Sequence, residues 1–198
     1  MLFRSLPLPA SCDAVFAVID TASKTGTDND ARAVTFFAYD TLGRISLFIL
    51  DWDVVQIEGA MLETWLPQVF ARLEELAQLC RARRGSIGAF IEDKNSGTIL
   101  LQQAWRRQMP ARAIDSNLTA MGKDERAISV SGYVYRGLVK YTDRAFDKTV
   151  VYKRNSRNHL VDQVESFRIG DRGSDREDDL LDTFCYGIAL ALGNSEGF

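Results

Sequence analysis

The stretch AVFAVID, Ala14 to Asp20, is a short apolar run that ends on a carboxylate. From Ala14 to Ile19 it has no polar member, the pattern of a strand buried on both faces. Asp20 closes the strand, and the polar segment TASKTGTDNDARA follows. In open α/β sheets, ligand sites lie outside the carboxyl ends of strands. A central strand therefore delivers one acid to such a place. AFIEDKNSG, with Glu92, and REDDLLDTF, with Asp178 and Asp179, bring acids in comparable settings.

Working outward, AVTFFAY (Ala33 to Tyr39) and ISLFILDW (Ile45 to Trp52) read as two further strands around a tight turn at 41–44. Strands this close in sequence pair as an antiparallel meander. From Gly59 to Arg84 the apolar residues recur with helical period, among them Leu62, Leu66, Val69, Leu73 and Leu76. Pro67 starts or kinks that helix. Arg81, Arg83 and Arg84 are expected in its last turn, against the dipole, with Gly85 as the stop.

Ser86 to Ile91 is a fourth strand reached through a helix, so it should run parallel to the first and set Glu92 beside Asp20. A helix over Gly97 to Arg107, capped by Asn95 or Ser96, and a strand at Ala111 to Ile114 complete the sheet. Gly122 to Gly132 reads as a short helix. Tyr133 to Thr142 and Lys148 to Lys153 have hairpin-like composition. A helix follows over Asn158 to Phe167, carrying the sole histidine, His159, as a packed or surface residue rather than a catalytic one. Ser174 and Glu177 form a capping box before a last helix with an apolar face at Leu180, Leu181, Phe184, Cys185 and Ile188.

The chain has 198 residues, 46% of them hydrophobic and 26% charged, which suits one domain with a real core. The first 13 residues read as a leader or linker remnant. No apolar run approaches the roughly 18 residues that span a bilayer. Three isolated cysteines offer no CxxC spacing and indicate reduced thiols. With one histidine, a His-rich zinc site is excluded. The net charge is −3, unevenly placed. Arg136 to Arg157 holds seven cations against two anions; Asp162 to Asp182 holds eight anions against three cations. The first run, with Lys140, Lys153, Arg154 and Arg157, is the candidate polyanion contact. Two solvated faces are the commoner outcome of such runs.

Acids at two strand ends and one helix start suit Mg²⁺ or Mn²⁺, which prefer carboxylate and water oxygens. Two such ions about 3.5–4 Å apart can clamp the attacking and leaving oxygens of a phosphodiester. On the last helix, Asp179 is flanked by core positions and leans toward the sheet. Asp178 sits nearer the rim. Asp182 lies one turn on, placed to orient a neighbour rather than hold metal.

VFAVIDTASKTGTDND, IEDKNSG and DREDDLLDTFCYGIAL together resemble the three acidic motifs of the nuclease domain of viral terminase large subunits, the DNA-packaging motors of tailed phages and prophages. GKDERAI (Gly122 to Ile128) resembles the family's GDK-x-x-RA segment. The resemblance spans about Phe16 to Leu192. It implies an RNase H-like α/β fold: a mixed five-stranded sheet, second strand antiparallel, with helices on both faces. It also implies a metal-dependent endonuclease cutting concatemeric double-stranded DNA in the host cytoplasm, working with a terminase small subunit and a portal. By motif position, Asp20, Glu92 and Asp179 would be catalytic and hold the metals, with Asp178 assisting. Lys94 and Ser96 carry no assigned role. Full-length terminases carry an ATPase with a phosphate-binding loop; no GxxxxGK[ST] occurs here, so this domain should not bind ATP by that device, and an excised or stand-alone nuclease is expected. Another RNase H-like nuclease of resolvase or integrase type, or a non-catalytic DNA-docking module, are the alternatives.

Overall fold

The computed structural model describes residues 5–21, 31–56, 61–94, 96–170 and 177–193. Strand β1 is Ala14–Asp20, and every residue of it is buried. It lies inside a six-stranded sheet with β2 (Ala31–Tyr39), β3 (Leu47–Gln56), β4 (Ser86–Ile91), β5 (Ala111–Ala113) and β6 (Val139–Tyr141), in the order β5-β4-β1-β2-β3-β6. β2 is antiparallel to β1 and β3; the β1–β4, β4–β5 and β3–β6 pairs are parallel. One reversed strand in an otherwise parallel sheet is the expected arrangement.

The sixth strand is the departure from the expected five. Tyr133 belongs to a helix, α4 (Lys123–Tyr135), and the residues just after it form no hairpin. Gly137, at φ 74°, turns the chain, and Leu138 O accepts from Ser46 N and Leu47 N, each at 3.0 Å. That feeds Val139 and Tyr141, both fully buried, along the edge of β3. The hairpin lies later, in β7 (Val150–Tyr152) and β8 (Asn155–Arg157).

Alternation along β1 divides the core. Val15, Ala17 and Ile19 face α1 (Leu62–Leu79) and α2 (Ser96–Arg106). Phe16 and Val18 face α7 (Asp179–Ile188), with α4 (Lys123–Tyr135) and α6 (His159–Ser166) packed around it. A Cβ on Gly187 would enter the Phe37 ring, so α7 lies tight on β2. Two short helices, α3 (Ser116–Ala120) and α5 (Asp143–Asp147), complete the fold, and α7 continues into a π-helical turn at Ala189–Gly193.

Helix α1 stops at Leu79, short of the three arginines. Arg81 turns the chain at φ 43°, Ala82 bridges to Cys12, and Arg83 ion-pairs with Asp13 at 2.5 Å and Asp40 at 3.1 Å. Nearby carboxylates thus take the cation that was expected to face the helix carbonyls. Among residues 5–13, Leu6 bridges to Thr142 and Cys12 to Ala82, which fixes the segment before β1. The cap at Ser174 and the candidate cap at Asn95 lie outside the described residues.

Candidate active site

Asp20 and Glu92 meet because β1 and β4 are parallel neighbours in register Ile19↔Ile91, and Glu92 N donates to Ile19 O at 3.2 Å. The segment after β4 is held tight. Lys94 N donates to Glu92 O, and Gly97 N to Lys94 O, both at 2.9 Å. Ser96 Oγ donates to Thr21 O at 3.2 Å, tying this loop to the chain just past Asp20. A Cβ on Gly97 would collide with the Glu92 carbonyl. DKNSG therefore needs its glycine for close approach, and Ser96 has a structural task.

Asp20 is 2% exposed, and among the described residues its Oδ1 has no hydrogen-bond partner. Burial pushes its carboxyl well above the usual carboxylate range, and the fields of Asp182, Glu92 and Asp179 push it further. Burial also acts on Glu92, but Lys94, Asp20 and Tyr186 overcome it and hold that carboxyl below its ordinary value. Glu92 Oε1 accepts from Lys94 Nζ at 2.8 Å and from Tyr186 Oη at 3.1 Å. Of the two strand-end acids, burial and neighbouring charge thus disfavour the charge on Asp20, while Lys94 and Tyr186 favour it on Glu92.

The third group of acids arrives on α7. Its N-terminal amides are capped from α6: Gln163 Oε1 accepts from Leu180 N at 2.9 Å and Leu181 N at 3.0 Å. Asp178, at the N-cap position, makes no capping bond of its own; its carboxylate pairs with Lys123. Asp179 is 7% exposed on the first turn. Asp182 accepts from Arg126 Nη1 at 2.5 Å and lies 3.8 Å from Lys123 Nζ. Burial raises the Asp182 carboxyl against the pull of Arg126 and Lys123. Among the charged neighbours of Asp20, Asp182 exerts the largest field. Sequence order ranked Asp178 ahead of Asp182; in the structure Asp178 faces a lysine and Asp182 faces the strand-end acids.

GKDERAI supplies the cations opposite these acids. Arg126 is buried, donates to Met121 O at 3.0 Å and lies over the Tyr186 ring, 4.1 Å from its centre.

Three of the four basic residues singled out in the sequence gather on one element and the fourth does not. Lys153 and Arg154, at φ 47° and 67°, form the β7–β8 turn. Lys153 pairs with Glu177 at 3.2 Å; Arg157 pairs with Asp162 at 3.0 Å and Glu177 at 3.7 Å. Buried His159 holds the hairpin through Nε2, which reaches Val150 O at 3.0 Å and Asn155 O at 3.2 Å. Burial raises the Tyr152 phenol, to which Asp179 and Glu177 contribute, so the hairpin stands by the α7 start. Lys140 sits on β6 opposite Phe48. Phe48 pairs with Ala38 and Ala38 with Val15, so Lys140 lies toward the far end of the sheet from Asp20.

Among the described residues, no three His, Cys, Asp or Glu side chains stand ready as a metal cage. The donor chemistry nonetheless fits a hard divalent cation: an unsatisfied, buried carboxylate oxygen on Asp20 is surrounded by the fields of three further acids. Several of the remaining oxygens are occupied by Lys94, Lys123 and Arg126. Asp20, Glu92, Asp179 and Asp182 are the residues that could hold such an ion.

No protein-family model matches the sequence, and no curated protein does. Solved structures do. The human cytomegalovirus terminase nuclease domain matches with a TM-score of 0.58 at 14% identity, over 90% of this chain and 83% of that one. A second structure of that domain, Mn soaked and inhibitor bound, matches at 0.56 and 14% identity over 94% and 85%. A large terminase nuclease from thermophilic phage G20c, with bound zinc, matches at 0.48 and 15% over 93% of both chains. The chain has an RNase H-like fold, similar to that of terminase nuclease domains.

Proposed function

We propose that this chain is a divalent-metal-dependent endodeoxyribonuclease of the terminase large-subunit type. It would cut concatemeric viral double-stranded DNA in the host cytoplasm during packaging, in a motor that includes a small subunit and a portal. The observation that carries this reading is the buried Oδ1 of Asp20 at the end of β1, without a hydrogen-bond partner among the described residues and in the field of Glu92, Asp179 and Asp182. Helix capping needs no such group, which weighs against a docking module whose acids serve only as caps. No helix among the described residues is long and apolar enough to cross a membrane.

Mg²⁺ or Mn²⁺ held there would supply Lewis-acid stabilisation of the oxygens that gain charge at the scissile phosphate. Asp20, Glu92 and Asp179 would hold the ions, Asp182 would complete the acid set, and Asp178 would assist from the rim. Tyr186 orients Glu92. Lys153, Arg154 and Arg157 approach the DNA backbone from the hairpin. Lys140, at the other end of the sheet, stands outside that path.

The test is nicking of supercoiled plasmid by the purified chain. Cutting should require Mg²⁺ or Mn²⁺, stop with EDTA, show little base preference, and be lost in Asp20→Asn while the variant still melts cooperatively. Activity that survives EDTA would remove the metal-dependent reading.

A further inference from the structure

We propose that Lys123 and Lys94 are exchangeable counter-ions of the acid cluster, displaced when divalent cations load, whereas Arg126 is its fixed cation. This inference rests on the metal-nuclease reading above.

The three cations are built differently. The Arg126 side chain is 7% exposed and has three anchors: Asp182 at 2.5 Å, the Met121 carbonyl at 3.0 Å and the Tyr186 ring. Moving it would strand a guanidinium in the core. Lys123 is 35% exposed, and its ammonium is shared between Asp178 and Asp182. Lys94 is 54% exposed and bridges Glu92 Oε1 and Thr119 O, both at 2.8 Å. An ammonium on a flexible, part-exposed stem is weakly held. A divalent ion brings twice the charge to about 2.1 Å from the same oxygens. Lys123 and Lys94 therefore hold carboxylates that a bound ion would need, and each must give way.

Their departures differ. Lys94 keeps the Thr119 carbonyl after it releases Glu92, so it stays over the site. Lys123 has both its named partners among the acids, so loading releases it. Metal affinity is then set by competition, and Lys123 is the stronger competitor.

Calorimetric titration of Mn²⁺ into the metal-free protein, with a thermal melt of each variant, reads this directly. Lys123→Met should lower the metal-free melting temperature and tighten Mn²⁺ binding roughly three- to tenfold, because a competing charge is gone. Lys94→Met should tighten it by less. If Lys123→Met does not fold, Lys123→Gln and Lys94→Met carry the same sign. Wild type that binds Mn²⁺ while these variants bind it equally or more weakly would overturn the exchange inference alone. Wild type that binds no Mn²⁺ would overturn the metal site with it.

Discussion

The hydroxyl of Tyr186 donates to Oε1 of Glu92 across 3.1 Å, while the face of the same ring carries the Arg126 guanidinium. One side chain on α7 therefore touches both the strand-end acid and the buried cation opposite Asp182. Tyr186→Phe keeps the ring and deletes only the hydrogen bond. It should cost about 1 kcal/mol of stability and lower the cutting rate by roughly tenfold, as outer-shell changes at metal sites do. Nicking rates and melts measure both; an unaltered rate would show that Glu92 does not depend on Tyr186 for its position.

The acids of α7 should rank Asp179, then Asp182, then Asp178. Asp182→Asn weakens the field on Asp20 and leaves buried Arg126 without its carboxylate, so it should lose roughly 1–3 kcal/mol as well as most activity. Asp178 is 22% exposed and paired to a lysine that is itself 35% exposed, so Asp178→Asn should cost under about 1 kcal/mol and leave substantial cutting. Rates for the three variants decide it: Asp178→Asn slower than Asp182→Asn would restore the order expected from sequence.

How far the sequence revealed this site depends on how local each signal is. β1 and β4 were readable to the residue, Ala14–Asp20 and Ser86–Ile91: β1 because a strand buried on both faces leaves an unbroken apolar run, β4 because its apolar stretch follows a glycine stop and ends at Glu92. Their parallel pairing followed from the intervening helix, and with it the meeting of Asp20 and Glu92. β6 was not readable: three residues carry little period, and the strand exists because the edge of β3 is open to it. The Gln163 cap on α7 has no sequence spacing at all. Asp182 had a partial signal, since it lies three residues from Asp179 on the same side of the helix. Its depth, however, depends on Arg126 from another helix. Arg126 itself stood in GKDERAI, three residues after Lys123, the spacing that turns both cations to one helix face.

DNA contact should depend on the hairpin tip and not on all of the basic run. Lys153 and Arg157 already answer to Glu177, whereas Arg154 is exposed in the turn. Arg154→Glu should weaken binding to duplex DNA at low salt by roughly three- to tenfold and reduce the salt slope by about 1. Lys140→Glu is the control and should change neither, because it sits toward the opposite end of the sheet from Asp20. Equal losses in both variants would move the DNA path away from the hairpin.

Acid stability should be governed away from the cutting site, at Asp51 on β3. This carboxylate is 4% exposed. It accepts from Arg72 Nε at 2.9 Å and Nη2 at 2.7 Å and from Lys148 Nζ at 2.9 Å, with Arg144 at 3.7 Å. Burial alone would raise its carboxyl, but Lys148 and Arg72 more than offset this and hold it below the ordinary value. Asp13 behaves likewise: hydrogen bonds from Thr41 and Arg83 hold it at about 2. A depressed acid gives stability that is present above its unfolded value, near 4, and is lost as pH falls through the folded value. Asp53 has the opposite sign. Burial raises it, and Asp51 adds to the rise, so its contribution is present below about 4 and lost as pH climbs through its raised value. Asp51→Asn removes the first contribution and weakens the second. At pH 7 it leaves Lys148 and Arg72 without their shared anion, at a cost of about 3 kcal/mol, or roughly 6–12 °C for a chain of this size. Below about pH 4 the unfolded chain takes up the Asp51 proton more readily than the folded protein does, so the charge contribution drains away as pH falls toward the lowered folded value and the two proteins should converge. Thermal melts of both in EDTA from pH 7 downward test this; a gap that stays constant to pH 2.5 would mean that Asp51 stabilises the fold by hydrogen bonding alone, with no part played by its charge.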